Sequence, residues 1–151
     1  MRQRVFPILL LAGVCKAFLQ ICVREAYSDA MRFHWRENGE VVTYRFARVL
    51  FGLTCSPFLL NGVLNTHLDT WSKIHPAEAE ELRRSLFVDD IVTGDTTIEE
   101  VKAKKKSAIQ ILNDATFELH KWASNEPELE TQSKSNGEPN APKPASTDFN
   151  R

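Results

Sequence analysis

The chain has 151 residues and a hydrophobic content of 42%, enough for one packed domain or for part of a larger one. Its formal net charge of -1 gives no global attraction for a polyanion, which counts mildly against a nucleic-acid binder. Cys15, Cys22 and Cys55 form no CxxC pair, and their odd number argues against a disulfide framework or a zinc site.

At the N-terminus, Arg2 and Arg4 precede an apolar run, Val5 to Cys15, of signal-peptide length. The run is too short to cross a bilayer, which takes about 20 apolar residues. Pro7 and Lys16 fit equally well with a strand, Val5 to Val14, buried on both faces and leading into a short helix. Arg24 to Ala30 is helix-compatible. Met31 to Trp35 and Val41 to Phe46 are β-rich, and Asn38-Gly39 between them is a hairpin signal. Ser56-Pro57 suits a helix start, with serine at the N-cap, and Leu60, Leu64, Leu68 and Trp71 follow at helical spacing before Pro76. Ala77 to Leu82 is a second short helix.

Leu86-Phe87-Val88, Asp89-Asp90 and Ile91-Val92-Thr93 then read as a tight hairpin, two apolar strands around a pair of carboxylates. Thr97 and Glu100 form a capping box for a helix from Thr97 to Ala115, whose lysines (Lys102, Lys104, Lys105, Lys106) read as a solvated face. Phe117 to Lys121 is a last strand. From Glu126 the composition turns to Pro, Ser, Asn, Glu, Lys and Gly, so residues 126–151 are expected to be a disordered tail behind a domain at 1–125. The layout is α+β, an antiparallel sheet backed by helices. His34, His67, His75 and His120 make no HExxH and read as ordinary surface or core residues.

Adjacent carboxylates on a hairpin can hold divalent cations, although an Asp-Asp turn taken alone is more often only solvated. Phe87-Val88-Asp89-Asp90 resembles the (Tyr/Phe)-x-Asp-Asp box of reverse transcriptases. Phe51-Gly52-Leu53-Thr54-Cys55-Ser56-Pro57-Phe58 resembles that family's glycine-containing loop before the long palm helix. Lys16-Ala17-Phe18-Leu19-Gln20-Ile21 resembles the segment after its first catalytic strand. Arg32-Phe33-His34-Trp35, Tyr44-Arg45-Phe46 and Leu119-His120-Lys121-Trp122-Ala123-Ser124-Asn125 resemble spacers of the BEL/Pao class of LTR retrotransposons. The similarity runs over roughly residues 1–129 with order and spacing kept.

This resemblance implies a polymerase palm, with Asp89 as a catalytic metal ligand and Asp90 as its supporting neighbour, holding Mg²⁺ for two-metal nucleotidyl transfer. Phe18 would lie beneath the incoming sugar and favour deoxynucleotides, or simply pack in the core. Phe51 and Gly52 would line the nucleotide pocket, with core packing and a simple turn as their plain alternatives. Lys121 would face the phosphates or be an exposed strand lysine. The implied partners are an RNA or DNA template-primer, deoxynucleotides and the remaining polyprotein domains (fingers, thumb, RNase H, integrase). The implied setting is intracellular, with no membrane.

The sequence departs from the family at one decisive position. The aspartate that ends the first catalytic strand falls at Gly13, and that strand carries no acid. Catalysis should therefore be impaired and Mg²⁺ binding weakened. Without fingers and thumb, grip on nucleic acid should be weak and salt-dependent, and apolar faces should be left exposed. Two other readings stand beside this one. The first is a non-catalytic fragment that binds nucleic acid or protein. The second is a small secreted protein that pairs Cys22 with Cys55.

Overall fold

The computed structural model of the protein describes residues 6–130. The first apolar run forms β1 (Ile8–Val14), an interior strand of a four-stranded sheet of order β4-β5-β1-β6. Here β4 is Leu86–Phe87, β5 is Asp90–Asp95 and β6 is Leu119–Ser124. All three pairings are antiparallel. The expectation of burial on both faces of β1 is corrected. Ile8, Leu10, Ala12 and Val14 are buried, but Leu11, on the other face, is 42% exposed. Among the described residues helices cover one side of the sheet, so successive side chains alternate between core and an open face.

The covering helices are α3 (Ser56–Trp71), α4 (Pro76–Ser85) and α5 (Ile98–Asp114). The predicted stripe on α3 is the core: Leu60, Leu64 and Leu68 are at most 2% exposed, and they meet Leu82 of α4 and Ile111 and Leu112 of α5. Trp71 Nε1 donates to Asp114 Oδ2 at 2.9 Å and ties α3 to α5. Thr97 and Glu100 form the expected capping box at the start of α5. Ser56 does not cap α3. The N-cap is Cys55, and the buried Ser56 hydroxyl donates to the Leu50 carbonyl, closing the preceding loop onto the helix start. The second helix is longer than expected, Pro76–Ser85 rather than 77–82, and the last strand is shifted from 117–121 to Leu119–Ser124.

Two short helices, α1 (Ala17–Gln20) and α2 (Glu25–Ser28), lead to a hairpin of β2 (Arg32–Glu37) and β3 (Glu40–Arg45). Asn38 and Gly39 at its tip have φ of 51° and 91°, the positive pair that a type I′ turn needs. Every residue of β2 is exposed. The hairpin is held to the rest by Asp29, which accepts from Arg32 and Arg45, and by Glu25, which accepts from Arg45 at 2.6 Å.

The boundary of the expected tail also needs correction. Residues Pro127–Glu130 form a helical turn, α6. Leu129 is 2% exposed in a cluster with Ile8, Leu10 and Val101. Lys102 pairs with Glu128, and the Lys105 ammonium donates to the Leu129 carbonyl at 2.8 Å while lying 4.4 Å from the centre of the Trp122 ring. These lysines are fastenings for the chain after β6, not a solvated face. The remainder of the expected tail, 131–151, lies outside the described residues.

Candidate functional site

The Asp-Asp hairpin pairs Leu86 with Ile91 and Phe87 with Asp90, so Val88 and Asp89 form the turn and Asp90 begins β5. Val88 sits at φ 58°, a left-handed conformation that a β-branched residue adopts at a cost of about 1–2 kcal/mol. Asp90 pairs with Gly13 of β1, and the Val14 amide donates to the Asp89 carbonyl at 2.8 Å, carrying the ladder into the turn. The hairpin tip is thereby fixed against the end of β1.

On the other side of β1 the register with β6 slips. Leu11 faces Ala123, but Gly13 faces His120, leaving an extra residue on β6. Lys121, at φ 54°, lies within this bulge. Bulges re-aim side chains and are frequent beside functional sites. Here the bulge brings His120 opposite Gly13, on the open face. Lys16, just beyond β1, is a third residue with positive φ, at 48°. Strained residues cluster where structure is over-determined for a task, and Lys16, Val88 and Lys121 all border the Gly13 end of β1.

Gly13 has no need of its missing side chain. A Cβ built there would lie 3.5 Å from Asp90 Oδ1 and 3.5 Å from His120 Nε2, ordinary contact distances, and its φ is not in the left-handed region. Among the described residues, the side chains of Asp89, Asp90 and His120 have no hydrogen-bond or ion-pair partner. No group of three or more His, Cys, Asp or Glu among the described residues is placed to hold a metal ion.

The other predicted residues fall into separate places. Phe18, in α1, is half-buried and packs on the main core, a placement compatible with either of its readings. Phe51 is 74% exposed, which rules out core packing for it. Gly52 has φ 86° with open space where a side chain would be, so its backbone conformation is what asks for glycine. The segment before it is joined to the end of α1 by the Val49 amide, which donates to Ile21 O at 3.0 Å. Lys121 is exposed. From the sequence alone His120 reads as an ordinary surface or core histidine. Its placement depends on the β1–β6 register and bulge, which leave no local mark in the sequence.

A second concavity, about 360 Å³, lies between α4, α5 and β5 on the helix-covered side of the sheet. Its charged groups are matched to one another. Lys104 Nζ reaches Glu81 Oε1 at 3.0 Å, Asp95 Oδ2 at 2.9 Å and Gly94 O at 2.9 Å, and Thr93 donates to Glu81. Burial acts to lower the Lys104 pKa, but the bonds to Asp95 and Glu81 outweigh it and hold the ammonium above its ordinary value. The bond from Lys104 in turn draws the Asp95 carboxyl below its ordinary value.

No family model matches the chain, and no curated protein is significantly similar to it.

Proposed function

We propose that this chain is the palm core of a retrotransposon RNA-directed DNA polymerase, of BEL/Pao type, whose own chemistry is disabled at Gly13. The observation that carries the reading is the juxtaposition of Gly13 with Asp90 on neighbouring strands, beside the Asp89 turn. A carboxylate at residue 13 would stand directly beside that of Asp90, on the open face of a sheet backed by helices. Three carboxylates there would make the charged floor on which two divalent ions, normally Mg²⁺, can stabilise phosphoryl transfer. With glycine in place the centre is short of a ligand, and no catalytic step is assigned to it.

In an intact parent, template-primer and deoxynucleotides would lie over the open face. Leu11 (42% exposed) and Phe87 (69% exposed) would be covered there, with fingers, thumb and RNase H domains supplying the grip. The test is primer extension on an RNA template, with this segment grafted into an intact polymerase of the same class. Gly13→Asp is expected to raise the rate on the order of a hundredfold or more, the scale of restoring a preorganised electrostatic group. Equal rates for the two versions would sink the reading.

The reading as a non-catalytic interaction fragment is favoured by one observation. Phe58 (77% exposed), Phe51 (74%) and Trp35 (61%) offer apolar surface that needs no catalytic centre to be useful. The secreted reading carries a cost to the fold. Cleavage after the apolar run would remove β1, an interior strand of the sheet, and Cys22 and Cys55 are free thiols. No helix among the described residues is long and apolar enough to cross a membrane.

A further inference from the structure

The concavity between α4, α5 and β5 has a floor and a rim of different chemistry. Leu82 of α4, Ile91 of β5 and Ala108 of α5, all core residues, make the floor, and the exposed Ala103 stands at its edge. Its volume of about 360 Å³ is at the small end of the roughly 300–1,000 Å³ that ligand pockets span. The rim is charged and unbalanced. Lys104 meets two carboxylates, Glu81 and Asp95. Glu78 adds a third, and its one ion-pair contact among the described residues, with His75 Nδ1, is 3.9 Å long, beyond hydrogen-bond reach. Glu78 and Glu81 both line the cavity, three residues apart on α4, a spacing at which like charges face each other and repel. Glu81 uses Oε1 for Lys104 and Thr93, and its Oε2 accepts from no described residue.

We propose that this cavity binds a small primary amine carried on an apolar body, the body covering the floor and the ammonium lying between Glu78 and Glu81. A neutral apolar molecule would leave the excess negative charge uncompensated, and an anion would add to it. Lys104 does not occupy the ammonium position, because Asp95 and the Gly94 carbonyl draw it to the β5 end of the cavity. Glu78 and Glu81 are partly exposed, so the ammonium keeps some of its hydration while the body leaves water. The inference does not rest on the polymerase reading. Ile91 and Thr93 are buried against the helices, whereas Asp90 and Gly13 belong to the alternate set of side chains on the open face. The cavity lies across the sheet from them and shares no residue with them.

The test is NMR titration of the full 151-residue chain with phenethylamine, following the backbone amides of Leu82, Ile91 and Ala108, with phenethyl alcohol as the neutral counterpart. Saturable shifts of these amides are expected with the amine. The alcohol should bind about tenfold more weakly, the combined scale of two partly exposed ion pairs. Glu78→Gln should weaken the amine about two- to fivefold and leave the alcohol unchanged. Ala103→Leu should abolish binding of both, since leucine suits a helix and fills the edge of the cavity without removing a polar group. Circular dichroism checks that each variant keeps its fold. No saturable binding of the amine, equal affinity for the alcohol, or amine binding unchanged by either Glu78→Gln or Ala103→Leu overturns the site. None of these results touches the primer-extension test, so the two proposals fail separately.

Discussion

Two glycines on adjoining strands behave oppositely, and the difference is measurable. A Cβ at Gly94 would lie 2.5 Å from the Ile8 carbonyl oxygen and 2.9 Å from Phe6 Cβ, so β1 and β5 approach too closely there for any side chain. Gly94→Ala should cost about 1–3 kcal/mol, the scale of overpacking. Gly13→Ala, with only ordinary contacts, should be neutral or stabilise by up to about 1 kcal/mol through the unfolded chain. Urea denaturation of the two variants checks both; equal losses would show that the glycines answer to the same constraint. Such distinctions were not legible in the sequence. In the sequence Gly13 stands out only against a family pattern, and nothing marks Gly94. Local chemistry was legible: Asn38-Gly39 made its turn, and Thr97 with Glu100 made its capping box, because both depend on neighbours within a few residues. Ser56 shows the limit of that logic, since its hydroxyl goes to Leu50 instead of capping.

Elements are held with unequal strength. The β2–β3 hairpin has one aromatic face, where the Phe33 ring lies 4.8 Å from Phe46 and 5.7 Å from Tyr44, and no covering layer. Its opposite face sets Arg32 against Arg45, like charges that would repel across the ladder without Asp29 between them. The hydrogen bond from Arg32, and then that from Arg45, lowers the Asp29 pKa below 3.8. A lowered folded-state pKa contributes stability above the unfolded value that is lost as pH falls through the folded one. The hairpin should therefore loosen in acid below about pH 4. Amide exchange should be faster in β2 and β3 than in β1 at neutral pH, and the gap should widen on acidification. Uniform protection across both sheets would contradict this. Lys104 works on another scale, being partly buried among Glu81 and Asp95. Lys104→Ala should cost about 1–3 kcal/mol after discounting for partial solvent screening, against little for Lys106→Ala. A common value for the two would return the lysine run to the role of a solvated face.

For the molecule as a whole, the class of fold was readable because periodicity reports it. The stripe Leu60, Leu64, Leu68 calls for a packed helix, and the apolar run of β1 and the Asn38-Gly39 hairpin call for strands. Strand order and register were not readable, since they are settled by packing between residues far apart in the chain. The site shares that fate: Asp89 and Asp90 are neighbours in sequence, whereas Gly13 and His120 reach them only through the sheet. The exposed apolar side chains follow the same line. Phe51, Phe58, Phe87 and Trp35 are each well exposed, and together they should bind a hydrophobic dye in the native state and promote association as concentration rises. Replacing Phe58 by serine should reduce both while changing stability by less than about 0.5 kcal/mol, because the ring is 77% exposed.

The place of β1 in the sheet also sets a timetable for the growing chain. It is made before every strand it bonds to, all of which come from residues 90–124, and the Leu9 amide finds its acceptor in Asn125, 116 positions later. Its leucines must wait, unpaired, while nearly the whole domain is made. Closing loops of that size before any sheet forms makes for slow folding. The helices α3 to α5 can collapse first and offer a surface, but the sheet completes only when β6 arrives. A chain stopped short of residue 119 would leave one edge of β1 open, a template for pairing with another copy rather than with itself.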